Sequence, residues 1–317
     1  MNVPRYASID VGSNTVRLLL AERRDRWNFR PLRVERRITR LGGNFSAENI
    51  LDEKAMLQTL SALRFFADLL REERTETVFA VATGVLREAR NGGDFIQQVF
   101  EDTGFSLRLI SGEEEARLML KGVLWSLPDT ASTRLVADVG GWSTEVLWVE
   151  GNRPKKIRSL GLGAVALVEK FLKSDPPRLK ELESLEEYTE GILEETRKWL
   201  AKGGLEFSRL DSQLVGTAGT MTTLAAIDQK LPAYDSQKIN GHQISRPGLE
   251  EIYLHLRSLS IEDRRKVPGL ERGREDLIVA GAVVVLSILK VFNLGTLLVV
   301  DSGLLEGVML DGISRLS

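Results

Sequence analysis

The sequence contains no cysteine, and His242 and His255 are its only histidines among 317 residues. The absence of cysteine excludes disulfides, thiolate nucleophiles and cysteine-type zinc sites. Two histidines are too few for a multi-histidine metal cluster, and a Ser-His-Asp triad is hard to build from them. The composition therefore leaves hard oxygen ligands and carboxylate acid–base groups as the available chemistry.

Long apolar runs are also absent. No window approaches 18 uninterrupted apolar residues, and the first ten residues, MNVPRYASID, lack an apolar signal region. We therefore expect a cytoplasmic protein without a membrane partner. The formal net charge of −2 predicts no nucleic-acid partner.

Charge is unevenly distributed along the chain. Eight arginines lie between Arg23 and Arg40, and seven glutamates lie between Glu181 and Glu195. Each run is explained most simply as a solvated face. If several basic groups converge in the fold, they would instead form a path for a polyanion.

An internal repeat is the most informative pattern. A strand, a glycine turn and two further strands are predicted at 6–11, 12–14, 15–22 and 29–39, and again at 134–139, 140–142, 143–150 and 153–160. Asp10 in IDVGSNT corresponds to Asp138 in ADVGGWST, 128 residues later. Two such copies predict two α/β domains of similar build facing one another across a cleft, which suits a length too great for one core.

The remaining pattern alternates helices and strands. Helices are predicted at 51–73, 94–103, 113–127, 162–172, 182–201, 220–230, 246–258 and 274–291, with strands at 77–83, 106–111 and 296–300. Pro128 and the polar residues after it indicate a boundary between domains 1–127 and 128–317. A closing helix within 303–317 is free to pack back on the first domain.

The two repeated loops are candidate phosphate and metal sites. Backbone N–H groups and hydroxyls in each loop can surround a phosphate, and the residues concerned are Gly12, Ser13, Asn14 and Thr15 in one copy and Gly140, Gly141, Ser143 and Thr144 in the other. Asp10 and Asp138 would repel that phosphate unless a cation lay between them and it, so both suit a divalent metal. A hairpin closed by D-x-G explains one copy equally well, but two copies favour a function.

A third glycine turn is predicted at 215–220, where an apolar strand runs into a helix. Free N–H groups at a helix N-terminus favour an anion, and the candidates here are Gly216, Thr217, Gly219 and Thr220. Taken alone this signal is weak, because any strand-to-helix connection favours Gly and Thr.

Two further side chains suit phosphate hydrolysis. Glu115 lies in the acidic start of a helix, where such residues are commonly only dipole partners, but hydrolysis by water needs a carboxylate that orients and deprotonates it. Arg87 lies just past a predicted strand, where it can form a bidentate phosphate contact or remain a surface residue.

These motifs, taken in order, resemble the exopolyphosphatase and guanosine pentaphosphate phosphohydrolase (Ppx/GppA) family. The resemblance runs through IDVGSNTVRLLL, AVATGVLREARN, SGEEEARL, DVGGWSTEV, VGTAGTMTTLAAI, PGLERGREDLIVAGA and DSGLLEGVML. It implies an actin-like duplicated fold of the sugar kinase/actin superfamily (ribonuclease H-like), magnesium as cofactor, and hydrolysis of a terminal phosphoanhydride. It also implies Glu115 as the catalytic base, Asp138 and Glu145 as metal-associated carboxylates, and Gly140 and Arg87 as phosphate ligands.

The sequence departs from the family pattern at two positions. Trp142 stands where the family has the third glycine of D-x-G-G-G-S-T-E, and Gly84 replaces a small hydroxyl residue. If position 142 requires a positive φ, tryptophan is strained there; otherwise its ring lines the cleft. Both departures bear on substrate preference more than on the reaction.

Four functions fit these observations, in decreasing order of support. The first is an exopolyphosphatase acting on inorganic polyphosphate with Mg²⁺, and the second is a guanosine pentaphosphate (pppGpp) phosphohydrolase. A sugar-kinase-like phosphotransferase and an actin-like assembly protein follow. The sequence leaves the oligomeric state open, with a homodimer as one outcome.

Overall fold

The computed structural model describes residues 3–25, 28–45, 49–127 and 132–316. The chain divides into two compact units, a first unit of Met1–Trp125 with Gly303–Ser317 and a second unit of Ser126–Ser302. Residues 128–131, on which the sequence places the domain boundary, lie outside the described residues.

Helices and strands are mixed along the chain. The strands are β1 Arg5–Val11, β2 Thr15–Arg23, β3 Phe29–Ile38, β4 Thr77–Ala82, β5 Leu107–Leu109, β6 Thr133–Val139, β7 Thr144–Glu150, β8 Arg153–Leu160, β9 Leu210–Thr217, β10 Gln243–Ser245 and β11 Thr296–Val299. The helices are α1 Glu53–Glu72, α2 Gly92–Thr103, α3 Gly112–Ser126, α4 Ala164–Phe171, α5 Leu179–Lys202, α6 Ala218–Asp228, α7 Ser236–Ile239, α8 Arg246–Ser258, α9 Ile261–Arg264, α10 Ile278–Val291 and α11 Leu304–Arg315.

The two units repeat one sheet topology. The strand order is β3-β2-β1-β4-β5 in the first unit, and β8-β7-β6-β9-β11 in the second, where β10 is added beyond β11. In each sheet the first three strands are antiparallel, and the next two lie parallel to the first. The added strand β10 is antiparallel to β11. The predicted duplicated α/β fold of actin-like type is confirmed.

The first unit is completed by the C-terminal segment of the chain. Helix α11 buries Leu305, Met309, Leu310 and Ile313 against a sheet face formed by Tyr6, Leu19, Ala21 and Phe29. It also contacts α3 so closely that a Cβ on Gly122 would lie 1.8 Å from the carbonyl oxygen of Gly303. Helix α11 is therefore as much a part of the first unit's core as β1 and β2.

The second unit is built around α10. Twelve of its fourteen residues are buried, which is the pattern of a helix surrounded by protein on all sides. Its neighbours are α5, α8, α6 and α4. This central helix gives the second unit a core of its own, formed from the continuous segment 126–302.

The structure corrects the predicted helix at 274–291. Helix α10 begins at Ile278, because Arg274 and Leu277 lie in turns in which their N–H groups donate to the carbonyls of Glu271 and Arg274 at 3.2 and 3.0 Å. Strand β10 and helices α7 and α9, which have three or four residues each, were not predicted from the sequence.

Candidate active site

Most of the predicted site residues in the first unit follow strands that are parallel to one another. Strands β1, β4 and β5 end at Val11, Ala82 and Leu109, and the loop or first helical turn after each carries Ser13, Arg87 and Glu115, respectively. Because the carboxyl ends of parallel strands share one edge of the sheet, these loops meet there. This is the edge at which open α/β sheets bind their ligands.

The first loop is fixed by hydrogen bonds from several directions. The N–H of Val85 donates to Oγ of Ser13 (2.9 Å), and the N–H groups of Thr39 and Arg40 both donate to the carbonyl of Asn14 (3.0 Å each). The N–H of Gly12 closes the turn onto the carbonyl of Thr15 (3.1 Å), so its role at a phosphate stays a prediction. The N–H groups of Ser13 and Asn14 have no partner among the described residues and remain available to an anion.

Asp10 forms an ion pair that the sequence analysis missed. One oxygen, Oδ2, accepts two hydrogen bonds from Arg17, at 2.6 Å from Nη2 and 3.0 Å from Nε. Arg17 lies directly opposite on β2. The other oxygen, Oδ1, and Oδ1 of Asn14 are buried without a hydrogen-bond partner within the described part of the chain. Such acceptors are costly to bury unless a donor or cation reaches them, which fits the metal expected beside Asp10.

Arg87 and Glu115 contact one another. Arg87 ends a single 3₁₀ turn after β4, and Glu115 lies in the first turn of α3. Nη1 of Arg87 lies 2.5 Å from Oε2 of Glu115 and also donates to the carbonyl of Ile110. The exposed fractions of the two side chains are 21% and 11%. The structure thus joins the predicted base and the predicted arginine in one largely buried pair.

Gly84 has a conformational role in presenting Arg87. Its φ is +57°, a value that side chains with a Cβ rarely adopt. A serine or threonine at this position would be strained in this backbone. The glycine that departs from the family pattern therefore allows the backbone conformation of the turn that carries Arg87.

The second unit contains the other repeated loop, after β6. The N–H of Gly140 closes this turn onto the carbonyl of Ser143 (3.0 Å), so it too is occupied. The carbonyls of Gly140 and Gly141 accept hydrogen bonds from the first turn of α4. Trp142 is absent from the positive-φ residues in the described ranges, so tryptophan is not strained there.

Asp138 and Glu145 lie opposite one another on β6 and β7. They are 7% and 1% exposed, and Oε1 of Glu145 accepts a hydrogen bond from Oγ of Ser159 (2.7 Å). Two carboxylates buried side by side repel one another unless a cation or proton is shared. The pair therefore fits Mg²⁺, which is commonly held by one or two carboxylates with water and substrate oxygens completing the shell. Among the described residues no three acidic or histidine side chains form a metal cluster by themselves.

The two units differ at this equivalent position. The residue seven positions after the aspartate is Arg17 in the first unit and Glu145 in the second, and each faces its aspartate across the strands. The first unit neutralises its aspartate internally, whereas the second places a further negative charge beside it. Matching the two copies residue by residue could have revealed this difference from the sequence.

The third predicted loop, at 215–220, differs from the expected glycine turn in its backbone. Gly216 and Thr217 are the last residues of β9, and the positive φ of the connection (+70°) falls on Ala218. Hydroxyls of Thr217, Thr220 and Thr144 donate to the backbone carbonyls of Ser302, Val139 and Leu162. Their protons are occupied, so the phosphate role of these three residues stays a prediction.

A second arginine that the sequence analysis did not single out lies at the start of α6. The guanidinium of Arg274 fills the space over Gly219, where a Cβ would meet Nη2 at 2.1 Å. Arg274 is also paired with Glu271 (2.7 Å). Helix α6 has no side-chain cap at Thr217, so its N-terminus combines open N–H groups with an adjacent cation. Only the tertiary fold brings Arg274 there, 55 residues after Gly219.

Comparison with known proteins identifies the family of the chain. A model of the Ppx/GppA phosphatase family matches residues 20–316. The chain belongs to the Ppx/GppA phosphatase family. It is 31% identical over 323 residues to exopolyphosphatase 2 of Mycobacterium tuberculosis, with 98% of this chain and 99% of that protein covered. The crystal structure of the family member from Aquifex aeolicus matches with a TM-score of 0.80 at 31% identity, covering 100% of this chain and 99% of that one.

A further relative is longer. The chain is 29% identical over 320 residues to the bifunctional 3-dehydroquinate synthase/phosphatase of Fusobacterium nucleatum, with 98% of this chain covered. It spans 46% of that protein, less than half of its length. In the described part of this family member, no helix has both the length and the apolar character needed to cross a membrane.

Proposed function

We propose that the chain is an exopolyphosphatase that releases the terminal phosphate of inorganic polyphosphate. The observation that carries this proposal is the buried Arg87–Glu115 pair at the carboxyl edge of the first unit's parallel strands. A carboxylate in contact with an arginine places a candidate base for water beside a candidate ligand for phosphate. The name of the M. tuberculosis relative, exopolyphosphatase 2, supports polyphosphate as the first candidate substrate.

In the proposed reaction Glu115 accepts a proton from a water molecule whose oxygen attacks the terminal phosphorus. The new P–O bond forms as the bridging P–O bond breaks, which gives inorganic phosphate and a polyphosphate shortened by one unit. Arg87 exchanges its contact with Glu115 for the terminal phosphate when substrate binds. After this exchange the carboxylate acts as the base, while the guanidinium offsets charge on the phosphate oxygens.

The loops supply the remaining contacts. In the first unit, the N–H groups of Ser13 and Asn14 provide further donors for phosphate oxygens. In the second unit, the N-terminus of α6 beside Arg274 offers donors of the same kind. Asp138 and Glu145 of the second unit would hold Mg²⁺, which would supply positive charge for phosphate oxygens. Their burial opposite one another supports this assignment.

The deciding experiment compares phosphate release from long polyphosphate and from pppGpp, with Mg²⁺ present, by the wild type and by Glu115→Gln. We expect faster release from polyphosphate, and loss of release in the variant. Preference for pppGpp would identify the chain as a guanosine pentaphosphate phosphohydrolase instead. No release from either substrate would overturn the proposal.

A further inference from the structure

An open groove lies between the end of β3 and one stripe of α1 in the first unit. Its volume is about 680 Å³, within the roughly 300–1,000 Å³ usual for small-molecule sites. Residues 37–39 form one wall, and every third or fourth residue of α1 from Lys54 to Phe65 forms the other. None of these residues belongs to the candidate active site described above.

The charge of the groove favours an anion. Its lining contains Arg37 and Lys54 but no aspartate or glutamate. Arg37 and Arg33 share the single carboxylate of Glu35, at 3.4 and 2.8 Å, so this trio retains one positive charge. Lys54 has no acidic partner within the described ranges. Two positive charges therefore face the groove without a matching carboxylate in its lining.

The groove also presents apolar surface, which an inorganic phosphate chain cannot use. Leu57 and Phe65 are 55% and 41% exposed. The guanidinium of Arg37 lies 4.6 Å from the centre of the Phe65 ring, so a cation and an aromatic plane are adjacent. Such a pair suits a ligand that carries both an aromatic ring and a negative charge.

Thr39 supplies a polar atom at the base of the groove. The residue is 3% exposed, and its Oγ1 is buried without a hydrogen-bond partner in the part of the chain that the structure describes. Its backbone N–H is fixed to the carbonyl of Asn14. A buried hydroxyl without a partner is unfavourable, and rotation about one side-chain bond would offer it to a ligand.

We propose that this groove binds a nucleotide, with the phosphates on Arg37 and Lys54 and the base on the Phe65–Leu57 side. An inorganic oligophosphate would match the two cations but would leave the apolar wall exposed to water. A nucleotide is favoured because its aromatic base can cover that wall. The site goes beyond the hydrolysis proposed above and does not depend on it. A bound nucleotide would lie against β3 and α1, whose connection to Asn14 couples the groove to the first loop.

Calorimetric titration of the whole chain with ADP and GDP, with pyrophosphate and adenosine as partial ligands, tests the proposal. We expect ADP or GDP to bind more tightly than either partial ligand. Lys54→Ala and Phe65→Leu should each weaken nucleotide binding by about tenfold. Lys180→Ala is the matched control, because Lys180 is likewise the exposed second residue of a long helix. This variant should bind the nucleotide with the affinity of the wild type.

Photolabelling with 8-azido-ADP shows where the nucleotide binds, since the candidate active site can also bind phosphates. The label should fall on the peptide containing Lys54–Phe65 or on β3, and excess ADP should remove it. Labelling elsewhere, unchanged affinity in both groove variants, or pyrophosphate binding as tight as that of ADP would each overturn the proposal. Binding is measured without turnover, so these results stand whether or not the chain hydrolyses polyphosphate.

Discussion

At the residue scale, the two copies of the repeated hairpin differ in the charge of the residue that faces the aspartate. Asp10 faces Arg17, whereas Asp138 faces Glu145. Arg17 offsets the charge of Asp10, whereas two buried carboxylates side by side repel one another unless a cation or proton is shared. We therefore propose the second unit's pair, and not Asp10, as the main magnesium ligands.

Neutralising one carboxylate of that pair should change how magnesium affects stability. In the wild type we expect the melting temperature to rise with Mg²⁺, because a ligand that binds only the folded state stabilises it. Glu145→Gln and Asp138→Asn should lose most of this rise, and in EDTA they should melt higher than the wild type. Glu150→Gln, at the end of the same strand in an exposed pair with Lys155, is the control. An undiminished magnesium effect in both variants would contradict the metal role.

A second residue-scale prediction concerns Glu115. Glu115→Gln keeps the size of the side chain but removes the base, so kcat should fall by about 10²–10⁴ with little change in KM. The neighbouring Glu114 pairs with Arg108 at the surface, and Glu114→Gln should retain wild-type rates. Steady-state phosphate release from polyphosphate measures both. Equal activity in the two variants would remove Glu115 from the reaction.

The sequence indicates these residues as candidates but does not give their contacts. Asp10 was singled out from the repeated hairpin, and Arg87 and Glu115 from their positions after a predicted strand and at a helix start together with the family resemblance. The Asp10–Arg17 pair depends on strand register, and the Arg87–Glu115 pair depends on β4 and β5 lying side by side. The contact of Arg274 with Gly219 depends on two segments far apart in the chain. Local patterns do not determine such contacts.

At the element scale, the close approach of α3 and α11 depends on two glycines. A Cβ on Gly122 would lie 1.8 Å from the carbonyl oxygen of Gly303, and one on Gly307 would lie 1.7 Å from that of Leu118. The obstructing atoms are backbone, which cannot rotate away. The two helices are therefore in contact at a distance that only glycine allows.

Gly122→Ala should destabilise the first unit by about 1–3 kcal/mol, since it forces the two helices apart. Gly191→Ala is the matched control: Gly191 lies inside α5, with nothing within 4 Å of its added Cβ. There alanine should stabilise the helix by about 0.5–1 kcal/mol. Urea unfolding curves of the two variants measure both effects. Destabilisation of similar size in both would show that the α3–α11 contact is not the cause.

Element boundaries were predictable where capping is local. The helix predicted at 246–258 has those bounds, because Ser245 accepts a hydrogen bond from the N–H of Gly248 and Pro247 lies in the first turn. The start of α10 was placed four residues early, since the sequence there shows no cap. Ala218 was not foreseen as the left-handed residue, because glycines on either side offered easier choices.

At the scale of the whole molecule, the two units differ in the number of chain segments that form them. The second unit is continuous, whereas the first needs both Met1–Trp125 and Gly303–Ser317. Without α11, the face formed by Tyr6, Leu19, Ala21 and Phe29 would be exposed to water. Apolar surface of this kind stabilises a fold only when it is covered.

Fragments should reflect this difference. We expect residues 126–302 to unfold cooperatively by circular dichroism, because α10 and its neighbours form a complete core. Residues 1–125 alone should lack a cooperative transition and should regain it when 303–317 is fused through a flexible linker. A cooperative transition in 1–125 without that segment would show that α11 is dispensable.

The position of α11 also determines the order in which the protein can mature on the ribosome. Residues 1–125 are translated before the second unit but lack their last helix until 126–302 have also been translated, which at about 5–20 residues per second takes roughly 9 to 35 s. The second unit can fold during that interval, while the uncovered face around Tyr6 and Phe29 is open to chaperones. Synthesis therefore proceeds from the N-terminus, but folding is completed there last.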